Sequence, residues 1–488
     1  MIGNLFKDMV KYLPGQIVPG IVGFISIPII TRLFAPGAYG NYVLVISTVS
    51  ILSIIVGWSS MPIKRFYPPY ERDKKLDQFY ETVLKMTLVS ILVLSLIFSS
   101  ALLLLRSRIS PRLYPLIYIG VPVFILASCF EVLLEFLRAK RQISWYSGFM
   151  VWKSVTAISF GILLVIIFHF GIDALLWGSV LSLVIAFPFL WRISLGKVSL
   201  NGKSISTSLV SEIARYGFPL VIGNLAAWIL SLSDRYVLEF FRGSQEVGIY
   251  SASYSISEHS IMLLATLFAL TSGSIMYHIW EKEGEKKSQE FISKLTKYYL
   301  IVCIPAVVGL SALAKPLINT LTGQGYHGGY KIIPLIALGA FFLGLQQRFH
   351  AGINFHKKTH FIMFSIIVSG LFNLGLNFLF IPKYGYVAAA VTTLLSYFFL
   401  LVLVVLVSRR FFVWQFPFKS LAKAICASSV MGIVVYHIGN SLTSSTSLNL
   451  ILGIVVGVVA YSLMLFLLRE FKPSEIQALS DLKAKIWR

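Results

Sequence analysis

The stretch RYGFPLVIGNLAAWILSLSDRYVLEFF, residues 215–241, is apolar almost throughout yet keeps Asp234 and Arg235 side by side near its end. An apolar run of about 20 residues is what a helix needs to cross ~30 Å of hydrocarbon at ~1.5 Å per residue. An acid and a base inside such a run are costly, so they mark a cavity, a partner or an interface. Neighbours on a helix point about 100° apart, so Asp234 and Arg235 are expected to seek different partners. The residues alone leave two readings open. The pair lines a cavity near its outer mouth, or it anchors the helix at the interface beside Tyr236 and Arg242.

The rest of the chain repeats this grammar. Of 488 residues, 57% are hydrophobic and 13% charged, whereas soluble chains sit near half apolar and a quarter charged. Apolar blocks alternate with short charged loops. Fourteen spans are expected, at 12–33, 39–60, 82–105, 114–137, 143–168, 173–194, 213–240, 247–277, 292–314, 332–354, 360–381, 385–408, 420–438 and 448–468. The opening MIGNLFKDMVKYLPG runs straight into the first span, so no cleavable signal is expected. Assigning loops alternately to two sides puts roughly three quarters of the Lys and Arg on the side of the termini, which predicts both termini in the cytoplasm. The net charge of +22 therefore lies in loops, as topology requires. A basic stripe with interleaved aromatics, which a nucleic-acid partner would need, is missing. Cys129, Cys303 and Cys426 each fall inside an apolar block and read as small core hydrophobes.

An internal repeat organises the spans. HFGIDALLWGSVLS (169–182) aligns with KYGYVAAAVTTLLS (383–396), Gly171 on Gly385 and Ser182 on Ser396. YLPGQIVPG (12–20) aligns with YGFPLVIGN (216–224), and AYGNYVLVIS (38–47) with EVGIYSASYS (246–255). The offsets share an order and a size, about 204–214 residues. Spans 1–6 and 7–12 thus read as two copies in the same orientation, a transporter plan. The predicted lobes are 1–205 and 206–411, with 412–488 holding two further spans and a cytoplasmic tail. Pro14, Pro19, Pro28, Pro122, Pro219 and Pro305 fall inside spans, either to bend helices beside a cavity or as residues that membrane helices tolerate.

Several of these motifs resemble those of a known family. The segment IPIITRLFAPGAYGNYVLVIS (27–47) has an apolar helix, a Thr-Arg-Leu step, a short Pro/Gly loop and a Tyr-Gly entry into span 2. SSMPIKRFYP (59–68) follows as a basic exit, and span 7 ends on its Asp-Arg-Tyr step. In this order they resemble the polysaccharide-transport proteins, the Wzx-type lipid-linked oligosaccharide flippases of the MOP (multidrug/oligosaccharidyl-lipid/polysaccharide) superfamily. The resemblance covers roughly residues 5 to 410. It implies an all-α polytopic membrane protein with MATE-like lobes, in the inner (cytoplasmic) membrane. Its cargo would be a polyprenyl-diphosphate-linked glycan, moved from the cytoplasmic to the outer leaflet by alternating access. H+ or Na+ would serve as counter-ion, and glycan polymerase or assembly proteins would be neighbours, with no cofactor and no nucleic acid.

A diphosphate cargo asks for cations in a cavity walled off from lipid. Lys153 lies about ten residues into span 5, ~15 Å deep, and is either a cavity cation, half of a structural ion pair or a long side chain snorkelling to one face. Glu258 and His259, at similar depth in span 8, suit proton handling; Glu258 alternatively balances Lys153. Arg32 and Arg348 each follow a long apolar run and are candidates for the diphosphate or for topology. Arg138, Lys140 and Arg141 read as topogenic, with Glu135 placed to meet Arg138 one turn on. Asn373 and Asn377 share a helix face and either bond between helices or touch sugar.

Three other classes fit the sequence less well. A multidrug or cation antiporter of the same superfamily prefers acids in the N-terminal lobe, where spans 1 to 3 and 5 hold none at mid-membrane. An enzyme needs a large aqueous loop or a catalytic motif, and no DxD, HExxH or GxSxG occurs, so no enzyme is expected. A scaffold for glycan assembly would have no use for intramembrane Lys, Glu and His.

Overall fold

The computed structural model describes residues 2–196, 206–441 and 446–471. Among these residues there is no strand. Helix is the answer to lipid, because every backbone N–H and C=O must find its partner within the segment. The helices are α1 (Ile2–Leu33), α2 (Pro36–Val56), α3 (Ile63–Arg72), α4 (Leu76–Leu104), α5 (Leu113–Ala139), α6 (Ile143–Phe168) and α7 (Asp173–Leu195). They continue with α8 (Thr207–Arg242), α9 (Ser244–Ala312), α10 (Ala314–Leu321), α11 (Ile333–Phe355), α12 (His360–Ser408), α13 (Phe418–Ser441) and α14 (Thr446–Leu467). Twelve of the described helices are long and apolar enough to cross a membrane.

Two helices each cover a pair of expected spans. Helix α12 has 49 residues, which straight would measure ~74 Å, over twice the hydrocarbon thickness. It breaks at Gly385, whose φ of +60° is left-handed, and so divides into the spans expected at 360–381 and 385–408. A side chain at this position would also collide with Glu246, whose Oε2 lies 2.3 Å from an added Cβ. That carboxylate accepts the Tyr386 N–H at 2.9 Å and the Arg242 Nε–H at 2.8 Å. The corner expected to match it, at Gly171, separates α6 from α7, and there the left-handed residue is His169, φ +56°. Helix α9 breaks likewise at Gly284, φ +82°. The span expected at 247–277 lies in its first part, where the side chains of 270–272 and 274 fall outside the described residues.

The chain divides into two compact units, Met1–Ala252 with Met363–Thr392, and Ser253–Ile362 with Thr393–Arg488. The first has an aromatic core from α4 and α5, with the rings of Tyr80 and Phe136 4.6 Å apart. Just beyond α5, Lys140 rests 5.2 Å from the Tyr80 ring and donates to the Ser194 carbonyl at 2.5 Å. Burial pulls its pKa down, against the pull of Glu71. Also in this unit, the start of α2 lies directly on the start of α9. A Cβ on Gly40 would sit 2.0 Å from the Ser244 carbonyl oxygen, and one on Gly248 would sit 1.9 Å from that of Pro36. In the second unit Tyr299 stacks on Phe341 at 5.6 Å and donates to its carbonyl at 2.8 Å. Nearby, the hydroxyls of Tyr254 and Tyr397 meet at 2.9 Å.

Candidate functional site

The first unit holds a half-open recess of about 440 Å3, walled by α2, α5, α6 and α7. Its polar lining is Glu131, Glu135, Lys153 and the hydroxyls of Ser50, Ser53, Ser60 and Ser179. Residues 131 and 135 are one turn apart on α5, so their carboxylates share a face. Lys153 rises from α6 to meet Glu131, Nζ to Oε1, at 2.7 Å. Its ammonium also lies 5.7 Å from the Phe130 ring. The side chains of this pair stay 32% and 44% exposed, so both charges remain reachable by a ligand. Glu135 is held from two sides, by Arg138 at 2.6 Å and by Lys64 at 3.3 Å. The Glu135–Arg138 contact is the one its helical spacing predicts. Of the three cations that meet these two acids, Lys153 alone lines the recess, while Lys64 and Arg138 offset Glu135 from outside its lining.

Lys153 therefore has an acid on its own unit, Glu131, one turn before Glu135 on α5. The signal was the Glu131/Glu135 repeat itself. Which face of α5 looks at α6 decides the pairing, and that is a packing fact.

Asp234 and Arg235 correct an expectation. They do not seek different partners; Arg235 Nη1 donates to Asp234 Oδ1 at 3.0 Å. Side chains lean toward the helix N-terminus, and Arg235 follows this lean, for Nη1 also takes the Ser231 carbonyl at 2.8 Å. The hydroxyl of Tyr250 donates to the other carboxylate oxygen, and its ring lies 5.5 Å from the guanidinium. Burial forces the pairing: with 1% and 3% of the residues exposed, neither charge can rely on water. Next along α8, the Tyr236 hydroxyl meets Thr48 Oγ1 of α2 at 2.7 Å. The step is thus packed at the junction of α8, α9 and α2.

The other candidates scatter. Arg32 is exposed in the last turn of α1. Arg348 is buried between the rings of Tyr299 and Phe268, 5.3 and 6.0 Å from their centres. Its Nη2 reaches the Ala265 carbonyl only at 3.5 Å, and its Nε is unsatisfied. Glu258 is half-buried on α9. His259 holds Nδ1 2.7 Å from the Ser255 carbonyl, which can only accept, so Nδ1 is the donor of this contact. Asn373 and Asn377 are fully buried and bonded to each other at 2.8 Å. Thr392, beyond the Gly385 break, donates to Asn377 at 2.5 Å. Amides committed in this way fasten the two arms of α12 and have little left for a sugar.

Twelve described helices of crossing length, with ion pairs held among them, define an all-α polytopic membrane protein. The chain belongs to the polysaccharide biosynthesis protein family, whose sequence profile matches residues 29–334, more than half its length. It is 20% identical over 410 residues to a putative O-antigen transporter of Shigella flexneri, covering 80% of this chain and 94% of that one. It is 25% identical to an uncharacterized membrane protein of Methanocaldococcus jannaschii over 190 residues, spanning 38% of this chain and only 37% of the relative. Its fold is that of the lipid II flippase MurJ in the inward closed conformation, with a TM-score of 0.79 at 19% identity over 94% of this chain and 99% of that one. An inward-facing MATE family multidrug transporter of the MOP superfamily matches with a TM-score of 0.64 at 15% identity, over 82% and 94% of the two chains.

Proposed function

We propose that this protein is a flippase for a polyprenyl-diphosphate-linked oligosaccharide, an O-antigen, capsule or exopolysaccharide repeat unit. It carries the glycan from the cytoplasmic to the outer leaflet of the inner membrane by alternating access, with the lobes 1–205 and 206–411 as moving parts. The observation that supports this reading is the partly exposed Lys153–Glu131 pair on the polar recess of the first unit, where the second acid, Glu135, is already held by Arg138 and Lys64. A diphosphate competes with Glu131 for Lys153. While the diphosphate holds the ammonium, Glu131 is left without its cation and takes up H+ or Na+. Release of the anion restores the pair and expels the ion. Glu258 and His259 are further sites where a proton is carried, and Arg32 and Arg348 further cations for the anionic headgroup.

The multidrug or cation antiporter of the same superfamily is less well supported. A cationic drug needs an acid without a resident cation, and both acids on this cavity have one.

The test is deletion of the gene, followed by mass spectrometry of the lipid-linked glycan pool and probing of its leaflet. The expected result is a complete lipid-linked repeat unit accumulating toward the cytoplasm, rescued by the wild-type gene and not by Lys153→Ala. An unchanged pool with raised drug sensitivity would overturn the flippase in favour of the antiporter.

A further inference from the structure

Residues 409–417, RRFFVWQFP, form a strap between the apolar helices α12 and α13. The strap is fastened down: Ser293 of α9 donates to the Gln415 carbonyl at 2.7 Å, and the Phe349 ring lies 5.1 Å from Trp414. Two recesses flank it. One, of about 790 Å3, is faced by Lys286, Lys294 and Lys297 along one side of α9. Its acid, Glu290, is committed to Lys287 at 3.0 Å, and Lys297 leans on Glu470 at 3.7 Å. Lys286 and Lys294 are exposed and have no acid against them among the described residues. The other recess, about 840 Å3, is walled mainly by Leu345, Phe349, Leu401, Val405 and Phe416, with the exposed Arg409 also on its lining. Val413, Trp414 and Gln415 line both. A soluble anion needs no greasy recess, and a bare hydrocarbon chain needs no lysines. A molecule with both a phosphate and an acyl chain uses the two together, with an amphipathic Trp at their shared wall.

We propose that the strap seats one anionic phospholipid of the bilayer, its phosphate among Lys286, Lys294 and Lys297 and one acyl chain in the apolar recess. The site is independent of the cargo. The full chain, purified in mild detergent, would be offered phosphatidylglycerol, phosphatidylcholine of the same chains, or glycerol phosphate alone, and retention read by native mass spectrometry. The expected result is one phosphatidylglycerol retained in preference to phosphatidylcholine. Lys286→Gln with Lys294→Gln should weaken it by roughly 30-fold, taking a surface contribution for each lysine. Lys282→Gln with Lys358→Gln removes the same charge away from the recess and should leave retention intact. Equal retention of the two lipids, or full retention by the recess variant, overturns the proposal. So does glycerol phosphate binding as tightly as the lipid, which would make this a soluble-anion site.

Discussion

Asp234 and Lys153 each meet an opposite charge within 3.0 Å, yet the two pairs differ in kind. Burial is the difference. Removing one partner of a buried pair strands the other charge, which costs about 3–5 kcal/mol. Asp234→Ala is therefore expected to lower the detergent-solubilised protein's melting temperature sharply, and Asp234→Ala with Arg235→Met should recover most of the loss. A melting curve unmoved by the single change would show that the pair is not the lock described here. The Lys153–Glu131 pair is about a third to a half exposed, and pairs of that kind contribute roughly 0–1 kcal/mol. Lys153→Ala should then leave the melting temperature nearly unchanged while transport is lost. Loss of folding along with transport would assign Lys153 a structural role only. At this scale the sequence disclosed the charges and their depth. It did not disclose the partners, because Arg235 folds back along its own helix and Lys153 selects Glu131 through the facing of α5 and α6.

Helices α2 and α9 touch where the repeat aligns them, Gly40 against Ser244 and Gly248 against Pro36. The contact is reciprocal, as expected of two equivalent segments related by a pseudo-two-fold. Backbone meets backbone there, so nothing flexible can yield to a methyl group. Gly40→Ala and Gly248→Ala should each cost about 1–3 kcal/mol through overpacking. Gly375, in α12, has open space where its Cβ would be, and Gly375→Ala should be neutral or stabilising by up to about 1 kcal/mol. Thermal unfolding of the three variants side by side checks both claims, and equal melting temperatures would refute the close contact. Much of this level was legible beforehand. The alignments at 38–47 with 246–255 and at Gly171 with Gly385 were read from the chain, and both fall at corners or contacts. What could not be read is that the left-handed residue of the first corner is His169 and not Gly171. Backbone conformation there is set by how α6 ends, with its last carbonyls taken by the N–H groups of residues 169 and 170.

Across the whole molecule the arrangement of charge carries a prediction about sidedness. Twelve described helices have crossing length, and the break at Gly385 turns one of them into two passes. Counted with the span expected in the first part of α9, the passes come to an even number and return the chain to the side where it began. Lys and Arg concentrate in the loops of that side, and short basic loops resist translocation. The lysine-bearing segment 282–297 and the strap at 409–417 are expected to fall there, which assigns the lipid seat proposed for them to the cytoplasmic leaflet as a prediction. Fusions to alkaline phosphatase, active only outside the cytoplasm, and to a fluorescent protein that folds inside it, test the assignment. A fusion after Gly323, in the loop following α10, should give phosphatase activity and little fluorescence. Fusions after Gly284 and at the C-terminus should give the reverse. If Gly323 and the C-terminus report the same side, one crossing has been miscounted between them. A crossing lost before the strap would turn the strap to the opposite leaflet, whereas one lost in α13 or α14 would leave the strap in place and move only the C-terminus.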